Sequence, residues 1–229
     1  MVRLLAPVRI RGTFGKALQF DGVDDYVEVP HNPSLTWSTE NFTVELWLYF
    51  VGRSANFASI IAKHTWGSSG WAISSETDGD GFAFINGATQ EKYYTTTTTD
   101  NLKNRWIHLA FVRRGSEWTW YINGAVDNSG TLTDFVEGTE SMQIMGEPAK
   151  PRYCEGTIDE VRIYNRALSA EEIIQLFRGG HVWKGLVLWL RFDEGSGTTA
   201  GDSSGCGNHG TIYGATWTNG AMILRKPVR

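Results

Sequence analysis

One nine-residue stretch limits what this chain can fold into: Phe42-Thr43-Val44-Glu45-Leu46-Trp47-Leu48-Tyr49-Phe50. Its residues alternate with the two-residue period of a strand, not the 3.6-residue period of a helix. Phe42, Val44, Leu46, Leu48 and Phe50 form an apolar face that must be buried, while Thr43, Glu45, Trp47 and Tyr49 form a mixed one. Shorter runs of the same kind recur at Ala17–Phe20, Tyr26–Val29, Ser59–Lys63, Trp71–Ser74, Phe82–Ile85, Ile107–Arg113, Trp118–Ile122, Met142–Met145, Thr157–Tyr164 and Leu186–Arg191. Turn dipeptides separate them, among them Asp21-Gly22, Asp78-Gly79, Asn86-Gly87, Arg114-Gly115 and Asn123-Gly124. This pattern predicts an all-β fold: a two-sheet antiparallel β-sandwich of the jelly-roll kind. Thr95–Thr99, β-branched and polar, reads as an edge strand or exposed loop.

One short helix is expected in the C-terminal region. Ser169 and Glu172 make a capping-box pair, Ile173, Ile174, Leu176 and Phe177 supply an apolar stripe, and Gly179-Gly180 ends it. At 229 residues the chain is long enough for a sizeable core and is read as a single domain over 1–229. A net charge of -4 gives no basic face for nucleic acid, and the local clusters Arg3, Arg9, Arg11 and Arg225, Lys226, Arg229 read as solvated tails. No apolar run is long enough to insert in a membrane. Met1–Arg11 is too short and too interrupted for a secretory signal, so export by that route is not expected of the chain as it stands.

Three stretches resemble laminin-G-like domains of the concanavalin A-like lectin/glucanase superfamily. They are Phe14–Val27 with its Phe20-Asp21-Gly22 turn, Gly156–Ser169 with Ile158-Asp159-Glu160, and Leu186–Gly210 with Asp202-Ser203-Ser204-Gly205. Trp106-Ile107-His108-Leu109-Ala110 and Tyr121-Ile122-Asn123-Gly124 are similar to the family's central hairpin. The order differs from the family's. The segment 185–217 resembles the family's first strand and loop, yet follows the main body, 14–178. That order implies either a circular permutation, which a sandwich with neighbouring termini tolerates, or a junction in a tandem array whose second domain is cut short. The first is preferred, since without Leu186–Arg191 the sandwich would lose a strand. The relocated strand could pack in cis or be donated to a second copy, giving a homo-oligomer by strand exchange.

The resemblance further implies a structural calcium, with Asp21, Asp159 and Asp202 as ligands and Gly22 and Asn208 adding oxygen; the alternative is that these Asp residues cap turns. Asp78 and Asp80 lack the closing Glu of a calcium loop and read as a hairpin turn. Cys154 and Cys206 would lie close in the permuted fold, where a disulfide could staple the relocated segment; otherwise they are two unpaired thiols. For sugar binding, which uses aromatic faces and planar polar groups, the candidates are Trp66, His64, Trp71, Tyr93 and Tyr94. Trp66, beside Gly67-Ser68-Ser69-Gly70, is the one whose sequence favours exposure, whereas Trp47, Trp106, Trp120, Trp189 and Trp217 read as packing residues. No Glu-x-Asp-x-x-Glu strand, triad order or zinc spacing is present, and a lyase pairing His64 with Tyr93 or Tyr94 is the remaining enzymatic idea. The first reading is a non-catalytic carbohydrate-binding module that recognises a polysaccharide or glycoprotein glycan, extracellular or surface-associated by family resemblance. The second is a structural, assembly or adhesion protein using the relocated strand, and the third a polysaccharide hydrolase or lyase.

Overall fold

The computed structural model describes residues 15–36, 41–55, 57–76 and 81–221. The basic clusters at both ends, Met1–Arg11 and the Asp78/Asp80 turn lie outside these residues. In chain order the strands are β1 (Lys16–Asp21), β2 (Tyr26–Val29), β3 (Asn41–Arg53), β4 (Ala58–Thr65), β5 (Ser69–Ser75), β6 (Phe82–Asn86), β7 (Lys92–Tyr94), β8 (Trp106–Arg114) and β9 (Glu117–Ile122). They continue with β10 (Ala125–Thr131), β11 (Met142–Ile144), β12 (Gly146–Glu147), β13 (Arg152–Tyr164), β14 (Leu186–Leu190), β15 (Thr199–Ala200), β16 (Gly210–Tyr213) and β17 (Thr216–Asn219). A one-turn helix α1 (Thr99–Leu102) precedes β8, and α2 (Ala170–Phe177) follows β13. The first sheet runs β10-β9-β8-β3-β13-β1-β17, with β12 and β14 also on β13. The second runs β15-β16-β2-β11-β4-β5-β6-β7, and all pairings are antiparallel. The expected two-sheet sandwich with one capped helix is the fold.

Alternation decides which side chains fill the space between the sheets. Phe42, Val44, Leu46, Leu48 and Phe50 of β3 meet Ile61, Trp71, Ile73, Phe82 and Phe84 of the second sheet in one core. The mixed face of β3 is buried as well, because α2 lies over it: Phe177 stacks on Trp47 with centroids 5.7 Å apart, and Ile173 and Leu176 pack with Tyr121, Tyr164 and Trp189. The helix starts as its sequence requires: Glu172 N–H donates to Ser169 Oγ (3.3 Å) and Ser169 N–H to Glu172 Oε2 (2.8 Å). Thr95–Thr98 is loop and Thr99 opens α1, so the edge strand lies just before, at β7.

The strand β14 is taken up by the chain's own β13: Leu190 pairs with Val161 and Leu186 with Tyr164. β1 occupies the rest of the same flank of β13, from Leu18 opposite Ile158 to Asp21 opposite Glu155. The two short strands therefore run end to end in the same direction. At their junction β13 bulges, with Glu160 at φ 53°. Beneath α2 the bulge feeds a buried ion network. Arg162 donates to Glu45 (2.7 Å) and to Glu160, His108 pairs with Glu45 (2.8 Å), and Trp189 Nε1 donates to Glu160 (3.0 Å).

The disulfide is not formed: both thiols are free, Cys154 buried and Cys206 exposed. Cys154 lies inside the sandwich, its Sγ 3.6 Å from the Ser59 carbonyl, and burial pushes the thiol up to about 12. Cys206 sits in the turn organised by Asp202, where no sulfur partner reaches it.

Candidate functional site

Two of the five candidate sugar-binding residues come together on the outer face of the second sheet. His64 is on β4, one position beyond inward-pointing Lys63, and so points outward beside Ala62. Trp66 follows in the β4–β5 turn, which Glu140 clamps through the hydroxyls of Thr65 and Ser69. Gly70, at φ 77°, closes the turn; a Cβ there would sit 1.9 Å from the Lys63 carbonyl, so only glycine fits. The indole of Trp66 is half-buried, with Phe57 stacked 5.8 Å away and His64 tilted at 5.3 Å.

The other wall comes from residues the sequence reading did not single out. Glu147, on β12, receives the Ser59 hydroxyl at 2.5 Å and lies 2.9 Å from His64 Nε2. Burial alone would raise its carboxyl, but the hydrogen bonds from His64 and Ser59 and the charge of Arg152 outweigh this and hold it below the ordinary carboxylate range. Lys150, in the β12–β13 turn, puts its ammonium 5.5 Å from the Trp66 ring centroid. Gln143 of β11, opposite Ala62, forms the floor. Together these residues line a cleft of about 280 Å³. His64 Nδ1 is buried there without a hydrogen-bond partner. Ser59 and His64 both bond the same carboxylate oxygen of Glu147, so they do not form a nucleophile–base pair with each other.

The remaining candidates lie elsewhere. Trp71 is fully buried and stacked against Phe84, pointing inward from β5. Tyr93 turns to the core side, where its hydroxyl meets Glu91 (2.9 Å), and it packs near Trp118. Tyr94 is on the outward face, three strands from β4, packed on Ala83 and Ile85. His64 and Tyr93 are thus on opposite faces, and Tyr94, on the same face as His64, stands three strands away, roughly 14 Å at the usual strand spacing, so neither tyrosine is beside His64.

The five candidate calcium ligands fall into three places. Asp21 and Gly22 form the β1–β2 turn, where Asp21 Oδ1 accepts the Val23 N–H at 2.8 Å. Asp159 is buried in β13, accepting the Ala221 N–H at 2.8 Å. Asp202 accepts from Trp189, Ser204 and Asn208 backbone N–H groups, and Asn208 ties the loop to Val187 (2.7 Å). Asp21 and Asp202 both cap turns through these bonds. Among the described residues the group of acidic side chains within 4.8 Å of one another is Asp21, Asp24 and Asp25, two of them absent from the sequence-based set.

A search of curated protein sequences found no match. The family model Laminin_G_3, of the Concanavalin A-like lectin/glucanases superfamily, matches residues 21–174. Among solved structures, the fold is similar to a Bacteroides ovatus protein provisionally described as carbohydrate-binding (TM-score 0.72, 21% identity), covering 93% of this chain and 62% of that one. It is also similar to the heptameric SAP-like pentraxin of Limulus polyphemus (TM-score 0.64, 14% identity, 95% and 97% covered). A third likeness is domain 4 of the extracellular arabinanase AbnA from Geobacillus stearothermophilus, solved with arabinotriose (TM-score 0.58, 25% identity, 72% and 78% covered). The match over most of the chain and the two-sheet architecture agree: the chain belongs to the concanavalin A-like lectin/glucanase superfamily.

Proposed function

We propose that the chain is a non-catalytic carbohydrate-binding module and that the Trp66 cleft holds one sugar residue of a polysaccharide or glycan. The observation that carries this reading is the half-buried indole of Trp66 set beside Gln143, Glu147 and Lys150 in one small cleft. A sugar ring stacks its C–H face on an aromatic surface while its hydroxyls need planar donors and acceptors; this lining offers both. At about 280 Å³ the cleft is below the ~300–1,000 Å³ of sites for drug-sized ligands, which suits a single ring. The 25% identity to an arabinanase domain solved with arabinotriose supports the ligand class.

Trp66→Ala is expected to lower affinity for the recognised oligosaccharide at least tenfold, read by calorimetry across a glycan array and its hits. The change removes a half-exposed ring, so the melting temperature should move little. Unchanged affinity in a folded Trp66→Ala protein rejects the cleft. We infer as well that the chain order is a circular permutation, supported by β14 and β1 sharing one flank of β13 end to end.

A further inference from the structure

We propose a second carbohydrate-binding platform, on the outer face of the first sheet, built on the indole of Trp183 and taking a pyranose ring. Trp183 is 61% exposed, yet its loop is not loose. Four consecutive carbonyls between α2 and β14 are held: His181 O by Gln175 (2.7 Å), Val182 O by the Tyr164 hydroxyl (3.2 Å), Trp183 O by the Leu186 N–H (3.2 Å) and Lys184 O by Arg166 (2.7 Å). The ring itself is braced edge-on against Trp189, centroids 5.5 Å apart at 70°, with His181 at 6.0 Å.

Trp189 is fixed in turn. Its Nε1 donates to Glu160, and the Arg162 guanidinium lies 4.6 Å from its ring. Arg162 and Glu160 belong to the buried ion network with Glu45. An ion network under the helix thus sets the orientation of an indole at the surface, and a platform ordered in advance loses little entropy when a ligand stacks on it.

The size and surroundings of the patch select the ligand class. The other exposed large apolar residues among those described are Val23, Val51, Val126, Val136 and Tyr213, none in this loop or in β14. A stable protein interface buries roughly 800 Å² on each partner; a lone indole is the footprint of one sugar ring. On the Trp189 ring that braces it, half-exposed Arg191 lies 5.4 Å from the centroid and pairs with Asp193 at 2.6 Å, offering donor and acceptor together to hydroxyls of a longer oligosaccharide. The pair is neutral in sum, which suits an uncharged pyranose.

The test uses the intact ¹⁵N-labelled protein. Trp183→Phe identifies the Trp183 indole N–H resonance, and Trp66→Phe that of Trp66. Cellotriose, xylotriose, mannotriose, galactotriose and chitotriose are then titrated separately. At least one is expected to move the Trp183 resonance saturably, with affinity falling tenfold or more in Trp183→Ala and staying unchanged in Trp66→Ala. Trp189→Phe, which keeps a ring but loses the bond to Glu160, should weaken the same sugar severalfold without altering the fold. A Trp183 resonance that none of the five moves overturns the platform, as does full affinity in Trp183→Ala. The platform is independent of the cleft: movement at Trp66 alone keeps the cleft and rejects the platform, and movement at Trp183 alone does the reverse.

Discussion

Asp159 is a carboxyl whose environment opposes its charge. It is fully buried, one oxygen accepts the Ala221 N–H, and the other has no partner. Burial, above all, pushes it up to about 8, with the nearby charge of Asp193 acting in the same direction. The folded protein then holds a proton that the unfolded chain, near the ordinary 3.8, releases. Between about pH 4 and pH 8 the native state binds more protons than the unfolded state, so stability falls as pH rises across that window and the contribution is gone above it. Each pH unit crossed costs up to about 1.4 kcal/mol. Asp159→Asn, which keeps the acceptor for Ala221, is expected to flatten the pH dependence of the melting temperature between pH 4 and 8; an unchanged slope rejects the assignment. At this scale the sequence was partly readable. The exposure of Trp66 is legible from its place beside Gly67-Ser68-Ser69-Gly70. Trp71 has the same parity on its strand as Ile73, which places it inward, and that parity was the overlooked signal. Glu147, Gln143 and Lys150 were not legible, since only the pairing of distant strands brings them to His64.

At the scale of single elements, local signals and long-range ones separate cleanly. The helix α2 announces itself through its cap, and Ser169→Ala should cost about 0.5–2 kcal/mol, measured by denaturant unfolding. A loss below about 0.2 kcal/mol would mean that packing of Ile173 and Leu176 alone holds the first turn. The alternation of β3 is readable in the same direct way. β10 is not: Ala125–Thr131 contains Asp, Asn, Ser and Gly, and it becomes a strand because β9 offers it a free edge, Ser129 lying opposite Thr119. β17 hides for a similar reason, its four residues gaining their place from β1. The β14 run is apolar throughout, as expected of a strand with both faces covered: one by the core, the other by the helix layer.

For the molecule as a whole, the placement of β14 on the chain's own β13 predicts that this strand is not exchanged between copies. Mixing two differently labelled samples under native conditions should give no mixed species held by 185–229, and a mixed dimer that forms only after both are unfolded and refolded together would show strand exchange instead. Deletion of 185–229 tests how much the segment contributes. Leu186, Val187, Leu188 and Leu190 are all at least nine-tenths buried, and at about 1.5–3 kcal/mol each they supply roughly 6–12 kcal/mol. That is comparable with the whole stability of a typical domain, about 5–15 kcal/mol. Loss of the cooperative thermal transition is the expected result.

The flank shared by β14 and β1, with β17 on the outer edge of β1, also sets the order in which the protein can be finished. Lys16, at the start of β1, pairs with Asn219. At a synthesis rate of about 5–20 residues per second, β1 waits roughly 10–40 s after its own translation for β17 to be made. Until then its outer edge stands open, and a nascent chain on the ribosome carries an unfinished first sheet for most of its synthesis.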